Sequence, residues 1–140
     1  MKMVYNLKMI DIDSSYDNYV DSFNIGFFSS RETAEKTAMR YLNEVTGFKD
    51  YNVTYQISEM CVIGSNDSSI LSDLYIIYGW NENEELDEID IIESDCYVMA
   101  EEAEQKLNEL KASYCRKNWC IDKYIIDECN WQEGYVKEYY

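Results

Sequence analysis

Ser22-Phe23-Asn24-Ile25-Gly26-Phe27-Phe28-Ser29-Ser30-Arg31-Glu32 is the stretch on which the fold turns. Its first seven residues are rich in aromatic and β-branched side chains and read as a strand. Ser29 then stands three residues before Glu32, the spacing of a capping box at a helix start. Beyond it Ala34, Ala38, Tyr41, Leu42 and Val45 recur at three- and four-residue steps, one face of a helix. Gly47, free to take positive φ, ends that helix. Upstream, Val4 to Ile10 alternates as another strand, and the polar connection Asp11 to Asp21 makes the pair a hairpin with a long loop. Downstream, Tyr51, Val53, Tyr55 and Ile57 alternate in a third strand that runs on toward Ile63.

The same order recurs about half a chain later. Val4-Tyr5-Asn6-Leu7, Ala34-Glu35 and Tyr55-Gln56-Ile57-Ser58-Glu59 correspond to Leu74-Tyr75-Ile76-Ile77, Ala103-Glu104 and Tyr124-Ile125-Ile126-Asp127-Glu128, at offsets of 70, 69 and 69. Three landmarks in one order suggest an internal duplication. In the second copy Leu74 to Trp80 reads as a strand, Asn81 to Glu88 as an acidic connection and Ile89 to Tyr97 as a strand. Ala100 to Tyr114 is then a helix with Ala103, Leu107, Leu110 and Tyr114 inward, and Trp119 to Cys129 the last strand. Gly64-Ser65-Asn66-Asp67-Ser68-Ser69 is the linker-like run between them. The expectation is an α+β protein of two tandem ββαβ-type units, residues 1–64 and 65–140, the second more acidic. Its sheet is expected to be mainly antiparallel. One helix on three strands buries too little alone, so the two helices are expected to share one core in a single compact body.

Val4-Tyr5-x-Leu7, Ile25-Gly26-Phe27-Phe28-Ser29-Ser30-x-Glu32-x-Ala34-Glu35, Gly47-Phe48 and Tyr55-x-Ile57 together resemble a family of small, uncharacterised ββαβ domains of bacteria and phages. In that family the strand before the helix ends in a Gly-aromatic-Ser-Ser step. The resemblance covers the first copy; the second carries Cys96-Tyr97-Val98-Met99 in place of that step. It implies the fold and brings no catalytic motif.

Composition limits the function. With 46% hydrophobic residues and 14 Tyr, the chain is too apolar and aromatic to be a disordered acidic tail. It has no apolar run of about 18 residues to span a membrane, and its N-terminus enters a strand pattern without a signal-peptide core. Cys61, Cys96, Cys115, Cys120 and Cys129 are odd in number and lack Cys-x-x-Cys spacing, as reduced thiols do. A cytoplasmic protein is expected, in the host cytosol if phage-encoded. No histidine is present, which removes Ser-His and Cys-His nucleophiles and most zinc sites. The glycines are isolated, so no phosphate loop forms. Asp11-Ile12-Asp13-Ser14-Ser15-Tyr16-Asp17 places oxygens at alternate positions as a calcium loop would. The required Gly and bidentate Glu are replaced by Tyr16 and Ser22, so a solvated loop is expected. Neither catalytic residues nor metal or cofactor ligands are expected.

The remaining signal is charge. From Asp50 to Gln105 there are fifteen acidic residues and no Lys or Arg, while the chain as a whole carries 28 acids, 12 bases and a net charge of −16. Such a field attracts basic partners and repels nucleic acid and anionic membrane. The densest run, with Leu and Ile interleaved, supplies the candidate partner-binding residues Glu82, Glu84, Glu85, Asp87, Glu88, Asp90, Glu93 and Asp95. Tyr78 and Trp80 beside it are candidate aromatic anchors. Duplex DNA presents a charge every ~1.7 Å of axis, and carboxylates on one strand face recur only every ~6.7 Å. A mimic therefore needs neighbouring strands and the acidic first turn Glu101, Glu102 and Glu104 to share a surface. In composition the chain is similar to the acidic anti-defence proteins of phages, anti-CRISPR and anti-restriction. That likeness implies an inhibitor that occupies the basic nucleic-acid groove of a defence nuclease without binding nucleic acid itself. The alternative is a bacterial interaction module or homodimer whose acids serve solubility.

Overall fold

The computed structural model describes residues 3–13, 21–64, 73–83, 88–115 and 118–136, with the backbone alone at 82–83 and 88–91. The elements in chain order are β1 (Met3–Asp11), β2 (Asp21–Phe28), α1 (Arg31–Glu44), β3 (Val53–Ile63), β4 (Asp73–Asn83), β5 (Glu88–Glu93), β6 (Cys96–Tyr97), α2 (Ala100–Ser113) and β7 (Asn118–Ile125). They form two compact units. One holds Met3–Met60 together with the chain from Ile126 onward; the other holds Cys61–Ile125.

In the first unit β1 lies between β2 and β3. β1 and β2 pair antiparallel from Tyr5↔Phe28 to Asp11↔Asp21, and the register shifts between Leu7 and Lys8. At that bulge buried Asn6 donates to the Gly26 carbonyl at 3.0 Å and to Asn24 Oδ1 at 2.8 Å, satisfying an amide that would otherwise be costly inside. The extra residue, Ile25, joins Leu7, Met9 and Phe28 in a core closed by Ala34, Ala38 and Tyr41 of α1 and by Phe48. Small alanines at 34 and 38 let the helix approach the sheet while Tyr41 fills the space one turn on. The N-cap is Ser30, whose hydroxyl accepts from Thr33 N at 3.1 Å, one residue later than the Ser29–Glu32 spacing predicts. Ser29 serves elsewhere: its N–H and hydroxyl both donate to Asp127.

That contact belongs to the segment after β7, which closes the first unit. Asp127 N donates to the Phe27 carbonyl at 2.8 Å and Asn130 N to the Ile25 carbonyl at 2.7 Å, so the segment covers the outer edge of β2. The Tyr41 hydroxyl donates to the Asn130 carbonyl at 2.8 Å, and the Tyr135 hydroxyl to buried Asp11 at 2.6 Å. Tyr135 also packs against Phe23 and Phe48, at centroid distances of 4.5 and 4.9 Å. Gly134, at φ +78°, lies so close to the Thr46 carbonyl that a Cβ would collide with it.

In the second unit β4 is central. β5 pairs antiparallel with its C-terminal half, β6 touches it at Tyr75↔Tyr97, and β7 runs antiparallel along its other edge from Asp73↔Ile125 to Trp80↔Asn118. The end of β3 adds a parallel pairing to β6 at Val62↔Cys96 and Ile63↔Tyr97. α2 packs on one face of this sheet, with Ala103, Ile77 and Tyr97 buried and Leu107, Leu110, Trp119 and Ile121 around them. Acids in its first turn and Lys111 in its last suit the helix dipole.

The α+β class holds, but the two tandem ββαβ units around one shared core do not. The pairing is mixed, since β6 runs parallel to β3. Where one strand was expected from Ile89 to Tyr97, β5 and β6 are separated at Ser94-Asp95. There the Ser94 hydroxyl accepts from Ile77 N at 2.9 Å, standing in for a ladder carbonyl. Each unit has its own core and helix. The expected last strand, Trp119 to Cys129, stops at Ile125, and the residues beyond it complete the first unit. Period-2 alternation reports a strand locally and carries no information on which edge it will meet.

Candidate functional site

The acidic run lies along the β4–β5 ladder. Glu82 pairs with Ile89, Asn81 with Asp90, Asn83 with Glu88 and Tyr78 with Glu93. In ladder parity Glu82 falls with Glu93, and Glu88 with Asp90, so the run occupies both parities of the hairpin. Glu84, Glu85 and Asp87 lie outside the described residues. Glu93 and Asp95 are exposed. Tyr78 and Trp80 sit within β4, both half-buried. The Tyr78 hydroxyl lies 3.1 Å from that of Tyr124, and burial together with this hydrogen bond pushes its ionisation far above the usual tyrosine range.

Beside Glu93 and Asp95 the α2 face of the second unit opens into a cavity of roughly 380 Å³. Ile77, Ile92 and Leu110 form its apolar walls, and Tyr97, Tyr114 and Trp119 contribute three aromatic rings. Gly79 makes room for Trp119: a Cβ there would come within 2.5 Å of the indole ring. The register pairs Gly79 with Trp119 across the β4–β7 ladder, so the close approach follows from the fold. Ser94, Glu93, Asp95 and Lys106 supply the cavity's polar lining, and the Lys106 ammonium lies 3.5 Å from Glu109.

Burial and neighbouring carboxylates raise several ionisations in this unit. The Cys96 thiol is pushed up to about 12, first by burial and then by Glu93 and Asp95. The Tyr97 hydroxyl is raised by burial and then by Asp95, Glu109 and Glu102, so carboxylates from the acidic run and from α2 act on one ring. Cys120 is raised by burial and by Asp122. In the first unit the Tyr41 hydroxyl, raised to about 12 by burial and Cys129, is drawn partly back down by Arg40.

Among the described residues no three His, Cys, Asp or Glu side chains converge as metal ligands would. Asp11, the head of the calcium-like run, is buried rather than solvated, and accepts from Tyr135 and from Asp13 N. No helix of the described residues is long and apolar enough to cross a membrane. Of the cysteines, Cys96 is buried and Cys115 exposed.

Sequence reasoning placed the site on the hairpin and missed the cavity. Leu110 was legible as part of an inward helix face, whereas Tyr114, expected inward, is the exposed C-cap of α2, and nothing local joins either to Ser94 and Trp119. An isolated glycine inside the Leu74–Trp80 strand was the signal available, since such a glycine often marks a close approach. Comparison with family models, curated proteins and solved structures finds no match to this chain.

Proposed function

We propose that this chain is a non-catalytic binding protein that takes a basic protein partner on the acidic side of its second unit. In its sharpest form it is an inhibitor from a phage or mobile element that fills the nucleic-acid groove of a host defence nuclease, a CRISPR effector or a restriction enzyme. The observation that carries the reading is the acidic run itself, held along the β4–β5 ladder by the pairing of Glu82 with Ile89 and Asn81 with Asp90 and ending at exposed Glu93 and Asp95. One strand of carboxylates is too sparse to imitate a duplex. Acids carried on two paired strands come closer to the required density.

The test compares the wild type with a variant in which Glu84, Glu85, Asp87, Glu88 and Asp90 become amides. Each is used to capture proteins from bacterial lysate at low and high salt. The expected result is a nucleic-acid enzyme recovered by the wild type alone and released by salt, whose nucleic-acid binding the purified chain then abolishes. Equal recovery by both proteins would defeat the reading.

A second reading is favoured by one observation: β5 is the terminal strand in its sheet order, and it carries Glu88, Asp90 and Glu93. Charge on a terminal strand discourages edge-to-edge pairing. The acids would then keep an interaction module soluble, and contacts would fall to its apolar surface.

A further inference from the structure

We infer that the cavity between α2 and the sheet of the second unit receives an arginine side chain of the basic partner. This rests on the proposed reading that the partner is basic. A volume of roughly 380 Å³ lies at the lower end of the ~300–1,000 Å³ of ligand sites, larger than the small packing voids of a core.

The wall chemistry selects the occupant. Tyr97, Tyr114 and Trp119 put three aromatic rings in the lining, and an aromatic ring attracts a cation most strongly when the cation is partly desolvated. Glu93 and Asp95 in the lining carry carboxylates, and a guanidinium presents a planar fork suited to such groups. An ammonium shares the charge but neither stacks nor forks. An anion would meet Glu93 and Asp95 in the same lining as Lys106, whose ammonium lies 3.5 Å from Glu109. The indole is preset by its seat on Gly79, so little ordering is needed for stacking.

The experiment titrates the full chain with acetyl-Gly-Arg-Gly-amide and with the same peptide carrying citrulline, a neutral near-isostere. The indole N–H resonances are followed, with that of Trp119 assigned from a Trp119→Phe variant. The expected result is a saturable Trp119 shift with the arginine peptide and at least tenfold weaker binding of citrulline. Glu93→Gln with Asp95→Asn should weaken the arginine peptide at least fivefold at an unchanged thermal midpoint. Tyr114→Ala, at an exposed residue, should weaken it as well. Equal shifts with citrulline, equal affinity for tetramethylammonium, indifference to the carboxylate variant or a silent Trp119 would each overturn the inference. The five-fold amide variant separates the two readings, because none of its residues lines the cavity. Peptide binding kept while wild type and amide variant capture partners equally rejects the proposed function and leaves the arginine site. A silent Trp119 in a protein that still captures a basic partner does the reverse.

Discussion

β2 and β5 each end a run of paired strands, and the chain finishes them differently. β2 is closed by backbone from far along the sequence, Asp127 and Asn130 donating to Phe27 and Ile25 carbonyls. β5 is terminal in the strand order and bears acidic residues instead. Both devices stop a sheet from recruiting stray strands. The first consumes the edge, since its hydrogen bonds are filled and aromatic side chains seal them. The second leaves the edge within reach of a partner of opposite charge. The difference makes β2 an element of stability and, on the proposed reading, β5 an element of recognition, and each role can be broken.

The largest effect should come from ending the chain after Ile125. That removes two edge hydrogen bonds, the Tyr135–Asp11 bond and the ring packing on Phe23 and Phe48. Losses of this kind sum to more than about 4 kcal/mol, comparable with the whole stability of a small domain. The truncated chain should lose the cooperative unfolding of the first unit in a denaturant titration and associate during sedimentation. A cooperative, monomeric truncation would show that β2 needs no cover.

Single substitutions in the same segment should cost less. Gly134→Ala places a methyl against the Thr46 carbonyl in a left-handed backbone conformation, for a loss of about 2–4 kcal/mol. Tyr135→Phe removes a 2.6 Å donor from buried Asp11, for about 1–3 kcal/mol. Urea midpoints measure both. A loss under about 0.5 kcal/mol in each would mean that the segment rests on the surface without closing it.

Tyr41 sharpens the comparison through pH. Its neutral hydroxyl bonds the Asn130 carbonyl, and burial first, then Cys129, hold its ionisation near 12 against an ordinary value of 10.0. The unfolded tyrosine therefore ionises first, so this contribution is intact below pH 10 and is lost as pH rises toward 12. Stability of the first unit should fall over that window. Tyr41→Phe should flatten the fall and cost about 1 kcal/mol at neutral pH. An identical alkaline decline in wild type and variant would place the titration elsewhere.

How much of this was legible depends on range. The Ser22–Glu32 stretch disclosed a strand running into a helix, because aromatic clustering, serine caps and three-four periodicity are local; the cap itself was misplaced by one residue, to Ser29 instead of Ser30. Ala34, Ala38 and Tyr41 were correctly read as the buried face. The role of residues 126–136 was not legible. Asp127 and Glu128 look like the end of the alternating strand Trp119 to Cys129, and only the tertiary fold brings this segment to β2, about a hundred residues earlier. The cavity was hidden for the same reason, since Ser94, Leu110 and Trp119 meet only through the β4 register. The acidic run was plain in composition, whereas its division between ladder parities needed the pairing of Glu82 with Ile89.

The smallest effect on stability, and the sharpest on the second edge, should come from Glu88→Gln, Asp90→Asn and Glu93→Gln together. Each change exchanges an acid for its near-isosteric amide, so stability should alter by no more than about 0.5 kcal/mol and the fold should stay as it is. What changes is the character of β5, which becomes a neutral strand with no further strand on its outer side among the described residues. If its acids serve recognition, the variant stays monomeric in sedimentation velocity and loses its salt-sensitive hold on a basic partner. If they serve only to guard the edge, the variant self-associates at rising concentration and low salt, while any partner binding survives. The two outcomes exclude one another at the level of the first few micromolar of protein, on the order of the concentrations at which exposed strand edges begin to pair. Truncation beyond Ile125 should self-associate by contrast through β2, so an added charge at Ser22 ought to suppress association in the truncated chain and leave the β5 variant unchanged.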